Sequence, residues 1–137
     1  MKKAVCLIVV TLLCLSLAAC SGGISGSEAK AQVNEFFDAV KVNDFEKAKA
    51  LMHPGVHDDL PAYFKGLQED KGIDFSDFAI TDYTGFSSAL YSTGVNGSYY
   101  ELSMLATAGG KKLSVVVQIV KNKEGYGISA VNIRTKD

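Results

Sequence analysis

The sequence predicts a single α+β domain, in which helices come first and an antiparallel sheet follows. Apolar residues recur with a helical period between residues 28 and 71, and with a period of two after Gly72. Two turn signals, Gly109-Gly110 and residues 122–125, separate the later alternating runs. Helices followed by a meander of strands are typical of α+β proteins rather than of repeated βαβ units.

The first helix is predicted over residues 28–42. Ser25 and Glu28 have the spacing of a capping box, and Ser27 is an alternative N-cap. One apolar stripe runs along this helix and predicts the face that it buries. The stripe consists of Ala29, Val33, Phe36, Phe37 and Val40.

Two shorter helices are predicted to follow. The second begins at Asn43, which repeats the cap spacing with Glu46, and ends at the His-Pro-Gly sequence of residues 53–55. The third begins at Asp58 or Asp59 and stops at Lys71-Gly72. Their apolar stripes are Phe45, Ala48, Leu51 and Met52 in the second, and Leu60, Phe64 and Leu67 in the third.

Strands are predicted from the alternation of larger apolar and polar residues. The first covers residues 74–84, and residues 86–93 fit either a short strand or an irregular connection. A half-buried strand from Tyr99 to Thr107 precedes the most β-prone run of the chain, residues 113–120. The last strand is predicted over residues 126–133.

The N-terminus has the pattern of an export signal. Two lysines, Lys2 and Lys3, precede an uncharged run over residues 4–19, which is too short to be a typical spanning helix. The run ends in Leu17-Ala18-Ala19-Cys20, which resembles the lipobox of bacterial lipoproteins: a Leu, two small residues and a Cys. The resemblance implies that the Cys20 thiol receives a diacylglyceryl group and that the bond between Ala19 and Cys20 is cut. The alternative is an ordinary signal peptide that ends near a cysteine.

This interpretation divides the chain into three parts: a cleaved lipoprotein signal peptide over residues 1–19, a lipidated Cys20 with a Gly/Ser tether over residues 20–27, and one domain over residues 28–137. The expected location is the bacterial cell envelope, with the membrane as a partner through the lipid anchor. Because Ser21 rather than Asp follows the modified residue, we expect the periplasmic face of the outer membrane if the source is Gram-negative.

Composition excludes several kinds of chemistry for the mature chain. Removing residues 1–19 leaves 12 basic and 15 acidic side chains, and this balance argues against a nucleic-acid surface. Two of the three cysteines, Cys6 and Cys14, belong to the removed segment, and lipid consumes Cys20. The mature domain then has no thiol for a disulfide, a zinc site or a nucleophile, and no cofactor is implied.

The element order resembles the nuclear transport factor 2-like superfamily, also described as a cystatin-like cone. Residues 33–48 resemble its opening, where an aromatic helix leads into a "small polar–Asp–aromatic–acid–x–Ala" helix. Gly125-Tyr126-Gly127-Ile128 resembles its final strand, although Tyr126 stands where the family often has Trp. The resemblance implies a long first helix in the hollow of a curved antiparallel sheet. It brings no catalytic motif, and the fold hosts isomerases, dehydratases, pocket binders and interaction modules.

Two arrangements could carry chemistry, and the local sequence argues against both. His53 and His57 have a spacing that suits a metal on a helix, but Pro54-Gly55 interrupts the helix between them. Asp82 could serve as a base with Tyr83 as an oxyanion donor, yet adjacent strand residues point to opposite faces. We therefore predict no metal ligand, no catalytic residue and no enzyme.

The predicted function is a non-enzymatic binding module whose partner is another envelope protein. The first alternative is a small-molecule carrier or sensor that holds a small apolar ligand in the cone cavity, and the second is an isomerase- or dehydratase-like enzyme. The sequence leaves the oligomeric state open. Five residues could line a pocket, although core packing explains them more simply. They are Phe37, Phe64, Tyr83, Tyr100 and Met104.

Overall fold

Three helices and a short 3-10 turn pack on a four-stranded antiparallel sheet in the computed structural model, which describes residues 23–136. The predicted α+β class is confirmed. The predicted signal peptide, the lipobox and Cys20 lie outside the described residues. The helices are α1 (Gly26–Lys41), α2 (Phe45–Ala50) and α3 (Leu60–Lys71), and the strands are β1 (Ala79–Ser92), β2 (Gly97–Ala108), β3 (Lys111–Asn122) and β4 (Gly125–Thr135), which pair in chain order.

Helix α1 begins at a capping box. The backbone N–H of Glu28 donates to Oγ of Ser25 (3.2 Å), and the N–H of Ser25 donates to the Glu28 carboxylate (3.4 Å). All five residues of the predicted stripe are buried. Within the segment predicted as a tether, residues 20–27, Ile24 is buried in the core and α1 starts at Gly26.

The caps of the other two helices follow from short polar side chains. Asp44, not Asn43, caps α2, since its carboxylate accepts from the N–H of Lys47 (3.2 Å). Asn43 instead takes a left-handed conformation (φ 58°) that turns the chain between the helices. Asp59 caps α3, and Gly72 ends it with φ 66°.

The first strand begins later and runs further than predicted. Residues Phe75–Asp77 form a 3-10 turn, with Asp74 accepting from the N–H of Ser76 (3.0 Å), so residues 74–78 are not strand. Phe78 fits an alternating pattern in the sequence because it is apolar and buried. In the structure, it is buried as part of the core, and its ring stacks on Phe37 (4.1 Å between centroids). Of the ambiguous residues 86–93, residues 86–92 belong to β1, whose pairing with β2 contains three irregularities.

The core lies between α1 and one face of the sheet. Strands β2 and β3 pair without a bulge, and their alternate residues are fully buried on the helix side. Phe36 and Phe37 of α1 meet edge to face (5.2 Å) above this surface. The buried sheet residues include Leu102, Met104, Leu113, Val115, Val117 and Ile119.

The segment after α2 adds to the sheet at the start of β4. Met52 and Ile128 form an isolated bridge, and the N–H of His53 donates to the carbonyl of Ile128 (2.8 Å). The backbones approach so closely that a Cβ on Gly127 would lie 2.5 Å from the carbonyl carbon of Met52. Only glycine fits this position, which explains one residue of the Gly-Tyr-Gly-Ile sequence.

Replacing Gly127 by Ala should destabilise the protein. The new methyl group meets backbone rather than a flexible side chain, so the bridge must separate, and overpacking of this kind typically costs about 1–3 kcal/mol. The matched control is Gly66→Ala in α3, where a Cβ meets nothing within 4 Å. That change should stabilise the helix by up to about 1 kcal/mol. Urea unfolding would measure both, and equal midpoints for the two variants would contradict the close approach.

Candidate binding site

The two residues considered for proton transfer do not converge. Asp82 is exposed and pairs with Leu105, whereas Tyr83 pairs with Met104 on the opposite, helix-covered face. The Tyr83 hydroxyl accepts from Nδ2 of Asn34 (3.4 Å), and its ring contacts the ammonium group of Lys30 at 4.6 Å. The arrangement positions Tyr83 against α1 and leaves Asp82 in solvent.

His53 and His57 also lie in different surroundings. His53 is buried: its Nδ1 accepts from the N–H of Gly55 (3.0 Å), so its Nε2 is the protonated nitrogen that donates to Oδ1 of Asn122 (2.9 Å). Asn122 in turn donates from Nδ2 to the carbonyl of Val95 (2.9 Å). His57 is exposed. The first histidine therefore joins three loops, and in residues 23–136 no group of His, Cys, Asp and Glu side chains could hold a metal ion.

The candidate pocket-lining residues lie mostly in the core. Four of them, Phe37, Phe64, Tyr100 and Met104, are buried, and Tyr83 packs against the same cluster. The prominent cavities of the described residues, with volumes of about 330–420 Å³, are open surface clefts. Of the five residues, only Phe64 lines one of these clefts. The side chains under α1 thus occupy the hollow of the sheet.

The cleft that Phe64 lines has the composition of a binding site. It has a volume of about 410 Å³ and lies where the end of α1 meets α2, α3 and the 3-10 turn; we name it the aromatic cleft. Its floor is a row of rings, with Phe64 between Phe45 (5.9 Å) and Phe75 (4.9 Å). The remaining lining residues are mostly polar: Val40, Lys41, Asn43, Pro61, Lys65, Gln68, Asp74 and Ser76. Apolar floors with a few polar groups are typical of binding sites.

Two local features form the aromatic cleft. The left-handed turn at Asn43 places Phe45 at the first position of α2, where its ring is only half-buried. The 3-10 turn brings Phe75 up against Phe64 from the other side. Of the three rings, only Phe64 was among the predicted pocket-lining residues, because Phe45 follows the apolar stripe of the second helix in the sequence. The sequence does contain a signal for this cleft. In Asn43-Asp44-Phe45, a turn residue and a helix cap directly precede an aromatic residue.

The rim of the aromatic cleft carries two lysines on the helix side and the carboxylate of Asp74 on the side of the 3-10 turn. Lys41 lies in the last turn of α1, and Lys65 lies on an exposed turn of α3 at 3.8 Å from Glu69. An exposed pair of this kind contributes little stability, so the ammonium group remains free to contact a ligand. Val42, adjacent to Lys41 in the chain, is 73% exposed. The cleft is suited to an apolar or aromatic group that has an acidic neighbour.

Two other clefts are less suitable. The cleft beside Tyr63 is bordered by Asp58 and Asp59, and Asp59 already caps α3. Burial raises the pKa of Tyr63, whose hydroxyl donates to the carbonyl of Val131 (3.3 Å). The trough on the uncovered face of the sheet contains Glu101 and Arg134 and has no aromatic residue in its lining. Neither offers the row of rings that the aromatic cleft has.

Comparisons with protein-family models, with curated proteins and with solved structures found no match. The superfamily resemblance therefore still rests on the residues that suggested it, among them Tyr126. Within residues 23–136, no helix is long and apolar enough to cross a bilayer.

Tyr126 has an unusual environment for a polar side chain. Its hydroxyl is buried and makes no hydrogen bond of good geometry within the described residues, although the carboxylate of Glu28 lies close enough to interact with it. Burial raises the pKa of Tyr126 far above its ordinary value, and the negative charge of Glu28 raises the pKa further. The folded protein therefore keeps this proton at a pH at which the unfolded chain loses it.

The protein should lose stability in alkali partly through Tyr126. The contribution of this raised pKa to the free energy of unfolding is complete below about pH 10, the ordinary pKa of tyrosine. It is lost as the pH rises from there towards the pKa of Tyr126 in the folded protein. Tyr126→Phe removes this contribution, so its free energy of unfolding should fall less than that of the wild type between about pH 9 and 11. At neutral pH the variant should be as stable or slightly more so, since it loses a hydroxyl that makes no hydrogen bond of good geometry.

Urea unfolding at a series of pH values measures this difference. Tyr91→Phe is the matched control, because Tyr91 is an exposed tyrosine in the same chain. Parallel pH profiles for wild type and Tyr126→Phe would show that Tyr126 does not hold its proton in the folded state.

Proposed function

We propose that this chain is a lipid-anchored envelope protein that acts by binding and not by catalysis. The observation that carries the proposal is the uncharged run over residues 4–19, which starts after two lysines and ends in Leu17-Ala18-Ala19-Cys20. Cys20 becomes the lipidated first residue, and acyl chains hold the protein on the membrane. In a bacterium with two membranes, the protein occupies the periplasmic face of the outer membrane.

The domain belongs to the nuclear transport factor 2-like cone folds in this proposal. A long first helix over one face of an antiparallel meander supports the assignment. The irregular pairings in β1 and the one in β4, where Ser129 is the extra residue, also support it, because bulges bend the strands that contain them. This fold does not select a function, and the surface of the domain is what favours binding.

The partner in this proposal is another envelope protein, and it contacts the aromatic cleft. An open cleft leaves much of a small molecule in water, whereas a protein partner covers the cleft and its surroundings together. Aromatic residues are enriched in the buried centres of protein interfaces, and the row of Phe45, Phe64 and Phe75 provides such a centre. The lysines on the rim favour an acidic segment of the partner.

The position of the aromatic cleft also supports this role. The cleft lies at the C-terminal end of α1. Cys20 precedes the N-terminal end of the same helix in the chain. The 16 residues of α1 separate the two ends by about 24 Å. A binding site at this distance from the anchor can extend beyond the headgroups, where a neighbouring envelope protein can reach it.

The alternative functions have weaker support. A carrier would need space in the hollow of the sheet, where Phe37, Leu102 and Met104 are packed. An isomerase or dehydratase would need a carboxylate in a dry pocket, and Asp82 is exposed on the uncovered face.

Cys20→Ala should abolish lipid attachment. The lipobox chemistry needs the thiol, and Cys20 is the only cysteine after residue 19. Cells grown with labelled palmitate should label the wild type and not the variant, which should also escape lipoprotein processing and keep residues 1–19. Ser21→Ala is the control and should keep the label, because it leaves the lipobox unchanged. Palmitate incorporation into Cys20→Ala would refute the proposed anchor.

A photoreactive residue in the aromatic cleft should capture the protein partner in cells. We place it at Lys65, and a second probe at the exposed Asp82 on the uncovered sheet face serves as the control. The Lys65 probe should give a discrete adduct that the Asp82 probe does not give. Adding Lys41→Glu should weaken that adduct, because it reverses a charge on the rim, whereas Lys123→Glu in the β3–β4 turn should not. Equal adducts from both probes would contradict binding at the cleft.

A further inference from the structure

Three large apolar side chains protrude from the second half of β1. Phe86 is 70% exposed, Leu90 80% and Tyr91 66%. We name these three residues the hairpin patch, because they lie in the strand that leads into the β1–β2 turn. A single exposed apolar residue is ordinary, but three within six positions of one edge strand are not.

The hairpin patch lies beside the start of the described chain. A Cβ on Gly23 would lie 2.7 Å from Cδ2 of Leu90, so the backbone at residue 23 touches the patch. A Cβ on Gly26 would lie 2.9 Å from the Tyr100 hydroxyl, and the Tyr100 ring stacks on Phe86 at 5.6 Å. The segment that comes from Cys20 therefore reaches the domain at the hairpin patch.

The length of the intervening chain limits how far the patch can be from the lipid. Cys20 is three residues before Gly23, and three residues span at most about 10 Å in any conformation. If the acyl chains on Cys20 are inserted in a bilayer, Leu90 lies within about that distance of the headgroups. The same limit holds for an uncleaved apolar run over residues 4–19.

The composition of this end of the domain matches a headgroup region. Tyrosine is enriched at membrane interfaces, and lysines near a membrane are attracted to anionic lipid. Lys121 pairs with Ser98 at the base of the β1–β2 turn, and Lys123 lies in the adjacent β3–β4 turn together with Glu124. The apolar side chains thus have cationic neighbours at the same end of the sheet.

We propose that the hairpin patch rests on the bilayer that holds the lipid anchor and so fixes the orientation of the domain. This inference depends on the proposed lipidation of Cys20. The anchor keeps the patch at high local concentration beside the membrane, so even weak burial of Leu90 and Tyr91 suffices for contact. A protein occupant would have to fit between the patch and a bilayer about 10 Å away.

Lipid-dependent quenching of a fluorophore tests this contact in the full-length, lipid-modified protein. Leu90→Cys introduces one free thiol, which is labelled with an environment-sensitive dye before reconstitution into vesicles. Some of these vesicles contain lipids that carry a nitroxide near the headgroup. Val42→Cys is the matched control, because Val42 is also apolar and exposed but lies at the far end of α1. Quenching at position 90 should exceed quenching at position 42 by about threefold or more, as for side chains at the headgroup boundary.

The other outcomes overturn the proposal. Equal quenching at the two positions would place the patch in water. A blue-shifted emission at position 90 without quenching by the labelled lipid would mean that a second copy of the chain covers the patch. In a background with Tyr91→Glu, quenching at position 90 should fall, since a charged side chain resists transfer into the interface; unchanged quenching would count against contact through the patch.

The mass of the purified protein separates failure of this inference from failure of the proposed function. A mass that corresponds to two dye molecules would show that the Cys20 thiol is free and that the anchor is absent. This conclusion does not depend on the quenching measured at position 90. A lipid-modified Cys20 with a water-exposed dye at position 90 would refute the membrane contact alone.

Discussion

The packing of α1 on the sheet is the interaction on which the other features depend. Phe36 and Phe37 lie over the alternate residues that β2 and β3 bury, and Phe78 stacks beneath Phe37. Burial of one large aromatic side chain contributes several kcal/mol, a large part of the stability of a small domain. This contact fills the hollow of the sheet, and it also sets the direction of α1. The two ends of α1 then determine where the chain arrives and where the aromatic cleft forms.

Strong periodicity made most of the fold predictable, and its absence explains the errors. The stripe of α1 and the alternation in β2 and β3 matched the structure because each buries one face against the same core. β1 was harder to predict, since it is an edge strand with bulges and its second half buries little on either face. Where neither face of a strand is buried, apolar and polar residues do not alternate, and the sequence contains no strand signal. At the 3-10 turn, the local hydrogen bond of Asp74 overrode an apparent strand pattern.

The candidate site was less predictable than the fold, because it depends on contacts between distant segments. Phe45 follows a helical stripe in the sequence, yet its exposure depends on the turn at Asn43 and on the arrival of Phe75 from beyond α3. His53 could be judged an improbable ligand from Pro54 alone, but its role as a link to Asn122 required the structure. The closeness of Gly127 to Met52 is a similar case, since the sequence showed a glycine and not the backbone that it contacts.

The proposed lipid anchor and the surface of the domain would be physically coupled. A long flexible tether would let the domain rotate freely, and an exposed apolar patch would then be a liability for aggregation. Here the described fold starts at residue 23, with Ile24 in the core and Gly23 against Leu90, so little free chain separates Cys20 from the domain. A short connection and an apolar patch at the same end together favour one orientation on the bilayer. In the proposed arrangement, that orientation would direct the aromatic cleft outwards, where its rings and lysines could meet a partner that is not itself in the membrane.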